Sequence, residues 1–112
     1  MDDREAIVRE VFARVRAQDE RVADLYHDDA SVSVEDTVHR GRERILEFYR
    51  SLFRDDPPQP QVEQVFSQGD LFVALLSVRR HSGGDARPVA DVFTVVDGKI
   101  AALRICVVGG RL

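Results

Sequence analysis

The sequence predicts an α+β fold in which three N-terminal helices precede an antiparallel sheet. Two observations support this prediction. Apolar residues recur at helical spacing in the first half of the chain, and four strand-like runs separated by tight-turn sequences fill the second half. The 112 residues, 44% of them hydrophobic, are enough for one core, so we expect a single domain over residues 1–112.

The first two helices are short and amphipathic. The first is predicted by five apolar residues at helical spacing, namely Ile7, Val8, Val11, Phe12 and Val15. Asp2 and Glu5 resemble a capping box at its start. Asp19 caps the second predicted helix, which includes Tyr26 and is broken by His27-Asp28-Asp29.

A strand and the third helix follow. Residues Ser31 to Glu35 alternate as a half-buried strand does. Gly41 opens the third helix, Arg42 to Phe53, whose broad apolar stripe ends before Pro57-Pro58.

The remaining chain predicts a four-stranded meander. Its runs are Gln61 to Ser67, Leu71 to His81, Arg87 to Val96 and Lys99 to Val108. The turns between them read Gly69-Asp70, Ser82-Gly83-Gly84-Asp85 and Asp97-Gly98.

The run Leu71 to Leu76 is apolar on both faces, although a sheet with one wet face should alternate. Three helices in so short a chain cover only the concave side. We therefore expect the convex side to pack against a second copy through Leu75, Ala90, Val92 and Cys106. The alternative is one wholly internal strand in a tighter barrel.

Composition excludes several classes of function. The net charge is −4, and the basic residues are scattered among acidic ones, so we expect no nucleic-acid partner. The start is charged and no window is long and apolar enough to span a membrane, which predicts a cytoplasmic protein without a membrane partner. Cys106 is the only cysteine and the three histidines are dispersed, so we expect neither a disulfide nor a metal site.

Three segments carry a resemblance to a known superfamily. LYHDDASVSV, HRGRERILEFYRSLF and ADVFTVVDGKIAALRI occur in an order that resembles the nuclear transport factor 2-like superfamily, which includes ketosteroid isomerases and SnoaL-like polyketide cyclases. The resemblance covers roughly residues 5–108. It implies a cystatin-like α+β barrel, in which a cone-shaped curved sheet wraps around the helices, with an apolar pocket and usually a dimer. Because this fold serves both enzymes and non-catalytic modules, it does not imply one function.

Asp91 is the most informative candidate for chemistry. It lies within Val89 to Val95, on the same side as Phe93. With a two-residue turn centred on Gly83-Gly84, Leu76 and Val78 of the neighbouring strand flank it. A carboxyl there must keep its proton or find a cation. The alternative is a structural ion pair with Arg79, Arg80 or Arg104.

The resemblance implies which partners Asp91 would have. The general-base position of ketosteroid isomerases falls at Val34 and their catalytic tyrosine at Val11, which counts against isomerase activity unless a shifted register makes Glu35 the base. The resemblance to SnoaL-like cyclases implies a cavity in which one acidic residue of a late strand transfers a proton. Asp91 would play that part, with Tyr26 or His39 near the pocket mouth.

Each partner also has an ordinary interpretation, since Tyr26 and Tyr49 fit core packing and His39 fits an exposed loop. The residues expected to line the pocket are Val11, Phe12, Val15, Val34, Tyr49, Phe66, Phe93, Leu103, Ile105 and Val107. The same residues would also fit a fully packed core without a cavity. Two functions remain open, a cofactor-free isomerase, cyclase or dehydratase acting on a small apolar or polyketide-like molecule, and a non-catalytic dimeric binding module.

Overall fold

The computed structural model describes residues 3–107. Two α-helices and one short 3₁₀ helix cover one face of a six-stranded sheet, in the order β2-β1-β6-β5-β4-β3. The elements are α1 (Asp3–Arg16), η1 (Glu20–Leu25), β1 (Tyr26–Val34), β2 (Thr37–Arg40), α2 (Arg42–Arg54), β3 (Pro58–Gln68), β4 (Leu71–Arg80), β5 (Gly83–Val96) and β6 (Lys99–Val107). The α+β prediction is confirmed.

The helices form where the sequence places apolar residues at helical spacing. In α1, Val8, Val11, Phe12 and Val15 are buried, and the Arg9–Glu5 and Arg14–Glu10 ion pairs lie on its outer face. The proposed cap residue Asp2 lies outside the described residues. In α2, Ile45 and Tyr49 are the buried residues.

The second predicted helix is only the 3₁₀ helix η1. Asp19 caps it by accepting a hydrogen bond from the Arg21 backbone N–H, and bonds from Arg21 lower the pKa of Asp19 to about 2. The prediction that Tyr26 belongs to this helix is wrong, because the backbone becomes extended at Tyr26 and β1 begins there.

The sheet is curved and unclosed, and the expected cone-shaped sheet around the helices is confirmed. Antiparallel pairs join all neighbouring strands except β1 and β6, which run parallel. Register shifts that accompany β-bulges occur in the β3–β4, β4–β5 and β5–β6 pairs, and bulges bend strands.

Two strand predictions need correction. The sequence analysis missed β2, which pairs with β1 across the Glu35-Asp36 turn. The β4–β5 hairpin turns at His81-Ser82, so Asp91 pairs with Ala74 instead of Leu76. Because this shift is an even number of residues, each side chain stays on the predicted face.

The concave face and the helices share one core. Its largest fully buried side chains are Tyr26, Phe72, Phe93, Ile45, Ile100 and Leu103. No helix within residues 3–107 is long and apolar enough to cross a membrane.

Candidate active site

A cavity of about 230 Å³ lies between the two α-helices and the concave face of the sheet. Its wall includes all the predicted lining residues except Phe66 and Phe93. Phe66 was placed on the wrong face, because it pairs with Val73 on the convex side and is 49% exposed. Phe93 was also misplaced, since its ring is fully buried and packs edge-on against Phe12, with centroids 5.8 Å apart.

Asp91 is the only charged residue in the described buried core, with 6% of its surface exposed. Its strand β5 lies between β4 and β6, and Asp91 is opposite Ala74 on one side and Ile105 on the other. Burial among these apolar neighbours raises the pKa of Asp91 to about 7. Its Oδ1 atom is buried and has no hydrogen-bond partner among the described residues.

The alternative of a structural ion pair finds no support within residues 3–107. Arg79 donates a hydrogen bond to the Gly84 carbonyl, and Arg80 donates one to the Asp56 carbonyl. Arg104 pairs with Val92 on the convex side of the sheet and is exposed. No cation within the described residues 3–107 therefore compensates Asp91, whose carboxyl lines the cavity.

Two bonded tyrosines lie at and behind the cavity wall. The hydroxyls of Tyr26 and Tyr49 are 2.7 Å apart and hydrogen-bonded. Burial is the main cause that raises the pKa of both phenols, and the nearby Asp91 carboxylate raises them further. Tyr49 contributes to the cavity wall, whereas Tyr26 lies deeper, in the core. Tyr26 can therefore reach a ligand only through Tyr49.

The family can now be assigned from sequence. The model of the SnoaL-like domain matches residues 8–103. This chain belongs to the SnoaL-like domain family.

Solved structures share the fold of this SnoaL-like domain. A candidate polyketide cyclase from Sinorhizobium meliloti is 24% identical, with a TM-score of 0.82 and 94% of each chain covered. An NTF2-like protein of unknown function from Burkholderia pseudomallei is 14% identical, with a TM-score of 0.84 over 96% of this chain and 92% of that one. TerC, co-crystallised with polyporic acid, is 16% identical, with a TM-score of 0.81 over 91% and 88%. Among curated proteins, none matches the sequence.

His39 is not in the predicted loop. It lies on edge strand β2 of the SnoaL-like domain, opposite Val32, and is half-buried. Its ring packs on Phe48 with centroids 4.8 Å apart. Phe48 lines the cavity and His39 does not, so one aromatic ring separates the imidazole from the space a ligand would occupy.

The two positions that correspond to the catalytic base and tyrosine of ketosteroid isomerases are occupied by valines. Val11 and Val34 both line the cavity. Glu35, the alternative base, is exposed in the β1–β2 turn. Asp91 is therefore the only carboxyl on the described cavity wall.

Several lining residues were not predicted. Pro58 and Pro60 are the clearest cases, since Pro58 was considered only as part of the sequence that follows the third helix, and Pro60 precedes the first predicted meander strand. Their i, i+2 spacing on edge strand β3, where proline is tolerated, turns both toward the cavity. Arg80, which the sequence offered only as a possible ion-pair partner of Asp91, also lines the cavity.

The geometry allows proton transfer inside an apolar space. A carboxyl with a pKa near the working pH donates and accepts protons with comparable ease, which suits general acid–base catalysis. Within residues 3–107, no three His, Cys, Asp or Glu side chains converge as metal ligands would.

Proposed function

We propose that this SnoaL-like domain binds a small, largely apolar molecule in its cavity and that Asp91 transfers a proton to or from it. The supporting observation is a buried carboxyl with an unpartnered oxygen on an otherwise apolar wall. A group of this kind costs folding free energy, so its presence in a cavity favours a functional role. Similar folds in a candidate polyketide cyclase and in TerC, crystallised with polyporic acid, suggest a ring-containing ligand.

The proposed chemistry needs no cofactor. Ionised Asp91 takes a proton from a carbon beside a ligand carbonyl, and the electron pair of the C–H bond moves into the carbonyl to give an enolate. Asp91 then returns that proton. With a β,γ-unsaturated ketone the enolate is a dienolate, and delivery of the proton to its γ-carbon completes an isomerisation. With a hydroxyl on the β-carbon, the enolate expels hydroxide, and delivery of the proton to it completes a dehydration. When the enolate carbon instead attacks a second carbonyl, delivery to the new alkoxide completes a cyclisation.

Proton exchange tests this proposal with a defined probe. In D₂O, the wild-type protein should accelerate deuterium incorporation at C2 of 1-tetralone, a bicyclic ketone, as followed by proton NMR. Asp91→Asn should lower the acceleration by about a hundredfold or more, the usual contribution of a general base. The wild-type rate should rise with pH through about 7 and then level off, because the ionised carboxylate is the base.

Asp85→Asn is the matched control, since Asp85 is an exposed carboxylate on the same strand. The Asp85→Asn variant should accelerate deuterium incorporation into 1-tetralone as much as the wild type does. Equal exchange by wild type and Asp91→Asn would contradict the proposal.

A second function, ligand binding without turnover, is favoured by one observation. The described wall carries no carboxyl or imidazole besides Asp91, so one group would have to serve as both base and acid. In that case 1-tetralone would shift the NMR signals of cavity residues without exchanging its protons.

We also propose that the domain pairs with a second copy through its convex face. Leu75, Ala90 and Cys106 form one row of paired positions across β4, β5 and β6, and all three are half-buried. Val73 and Val92 lie in the next row, beside the exposed Phe66. Apolar residues predominate on this face, with the exposed Arg104 opposite Val92, and clustered apolar residues on a sheet face are typical of an interface.

A further inference from the structure

The cavity wall is polar at only three described positions. These are Asp91, Tyr49 and Arg80, and every other lining residue is hydrophobic or proline. The Tyr49 hydroxyl already bonds to Tyr26. Because the Tyr49 phenol is neutral, the groups on the described wall that can carry a charge toward a ligand are Asp91 and Arg80.

Asp91 and Arg80 lie at different ends of the cavity. Asp91 is opposite Ala74 of β4, in the buried part of the sheet, whereas Arg80 is exposed at the last position of β4, beside the hairpin turn. Six residues separate Ala74 from Arg80, so their Cα atoms are at most about 20 Å apart, and the Asp91 and Arg80 side chains, which both line the cavity, shorten the span that a ligand must cover. The cavity wall near Arg80 is formed by neighbouring positions of β3 and β4. Pro58 is opposite Arg80, and Pro60 is opposite Val78. An apolar channel therefore joins a buried carboxyl to an exposed guanidinium.

Contacts with the α2–β3 loop hold the Arg80 segment in place. Arg80 Nη1 donates to the Asp56 carbonyl at 3.1 Å, and the His81 backbone N–H donates to the Pro57 carbonyl at 2.9 Å. Ser82 donates two hydrogen bonds to the Asp56 carboxylate, one from its N–H and one from its hydroxyl.

The Asp56 carboxylate is thus already engaged. The bonds from Ser82, with a smaller contribution from the Arg80 charge, hold the pKa of Asp56 below its usual value. Arg80 makes no ion pair within 4 Å among the described residues, and its hydrogen bond to the Asp56 carbonyl uses one of its nitrogens. The rest of the guanidinium fork is available to a ligand.

We infer that the ligand is a ring-containing carboxylic acid whose carboxylate lies against Arg80 at the mouth and whose rings extend toward Asp91. This inference rests on the proposed function and adds the class of ligand to it. A ligand anion cannot be accommodated beside Asp91, where burial disfavours charge and the ionised carboxylate would repel it. At the mouth, a carboxylate stays partly hydrated and accepts charge-assisted hydrogen bonds from the arginine.

The far end of such a ligand is also constrained. Asp91 Oδ1 lacks a partner, so a carbonyl or hydroxyl oxygen there would complete its hydrogen bonding. The cavity, at about 230 Å³, falls below the range of about 300–1,000 Å³ that is usual for drug-sized ligands, which favours one or two fused rings.

A matched pair of bicyclic probes separates the role of charge from that of apolar contact. In calorimetric titrations at low ionic strength, the wild-type protein should bind 2-naphthoate about tenfold more tightly than its neutral analogue 2-naphthamide, as expected for one partly exposed charged hydrogen bond. Arg80→Gln should reduce the affinity for 2-naphthoate to that for 2-naphthamide and leave 2-naphthamide unchanged. Arg80→Lys, which keeps the charge, should retain a reduced preference for the anion.

Arg79→Gln is the matched control. Arg79 is the preceding residue on β4, does not line the cavity, and likewise donates one hydrogen bond to a backbone carbonyl, that of Gly84. It should keep the full preference for 2-naphthoate. Urea unfolding of each variant verifies that it is folded.

The outcomes distinguish this inference from the proposed function. Equal binding of both probes to the wild type, or equal loss of the preference in Arg79→Gln and Arg80→Gln, would overturn the anion site and leave the apolar pocket intact. Failure of both probes to bind would contradict ligand binding in this cavity altogether, and the inferred ligand class with it.

Discussion

A single carboxyl, that of Asp91, connects folding and chemistry in this domain. Its burial among apolar side chains raises its pKa from 3.8 to about 7 without help from another charge. As pH rises, the unfolded chain loses the Asp91 proton near pH 4, whereas the folded protein keeps it until about pH 7. The same property that would make Asp91 a useful acid or base makes the fold less stable when this group ionises.

This coupling predicts how stability changes with pH. Between about pH 4 and 7 the folded state holds more protons at Asp91 than the unfolded state, so this residue's contribution to stability falls as pH rises and then levels off. From pH 5 to pH 8, urea unfolding should show wild type losing roughly 2–3 kcal/mol relative to Asp91→Asn.

Asp85→Asn again provides the control, because Asp85 is exposed. It should follow the wild-type pH dependence. Parallel curves for wild type and Asp91→Asn would mean that Asp91 ionises normally in the folded protein, contrary to its burial.

At the scale of elements, Gly41 determines how α2 begins. It occupies the N-cap position with φ 95° and ψ 147°, a region open almost only to glycine, and its N–H donates to the Ala30 carbonyl of β1 at 2.8 Å. An added Cβ would meet nothing closer than 4.0 Å, so the constraint is the backbone conformation and not crowding.

Gly41→Ser tests this constraint against ordinary capping. Serine is usually the better N-cap residue, yet here we expect it to destabilise the protein by about 1–3 kcal/mol because of the backbone strain. Thermal unfolding measures the effect, and Ser51→Ala on the exposed face of α2 is the control expected to stay close to wild type. A stabilised Gly41→Ser protein would show that capping outweighs strain.

Periodicity predicted most elements to within a few residues, because α1, α2 and the late strands bury one face each. It failed where tertiary pairing overrides local signals. Residues 26–30 read as a helix end, but Tyr26 pairs with Ile100 of β6 and becomes strand. Strand β2 has only four residues and no fully buried one, so its sequence carries no period to detect.

The site was only partly predictable for a similar reason. The facing of Asp91 follows from alternation along β5, which sequence alone reveals. The distance between Arg80 and Asp91, and the placement of Phe93 beneath Phe12, depend on strand register and helix packing. Sequence does not encode these relations locally.

At the scale of the whole molecule, the convex face predicts self-association. Leu75→Glu would place a charge in the row of Ala90 and Cys106 and should convert a dimer into a monomer in light scattering at micromolar concentration. Ala17→Glu, at an exposed position after α1, should leave the mass unchanged. A wild-type protein that is already monomeric would rule out this interface.

The parallel pairing of β1 with β6 has a consequence for folding. The β1–β2 hairpin joins the rest of the sheet only through β6, the last strand described. During synthesis, the β1–β2 hairpin emerges early, but the edge of β1 opposite β2 stays unpaired until β6 is made. Such long-range closure raises contact order and slows folding, so the nascent chain exposes an unpaired strand edge until the final hairpin is made.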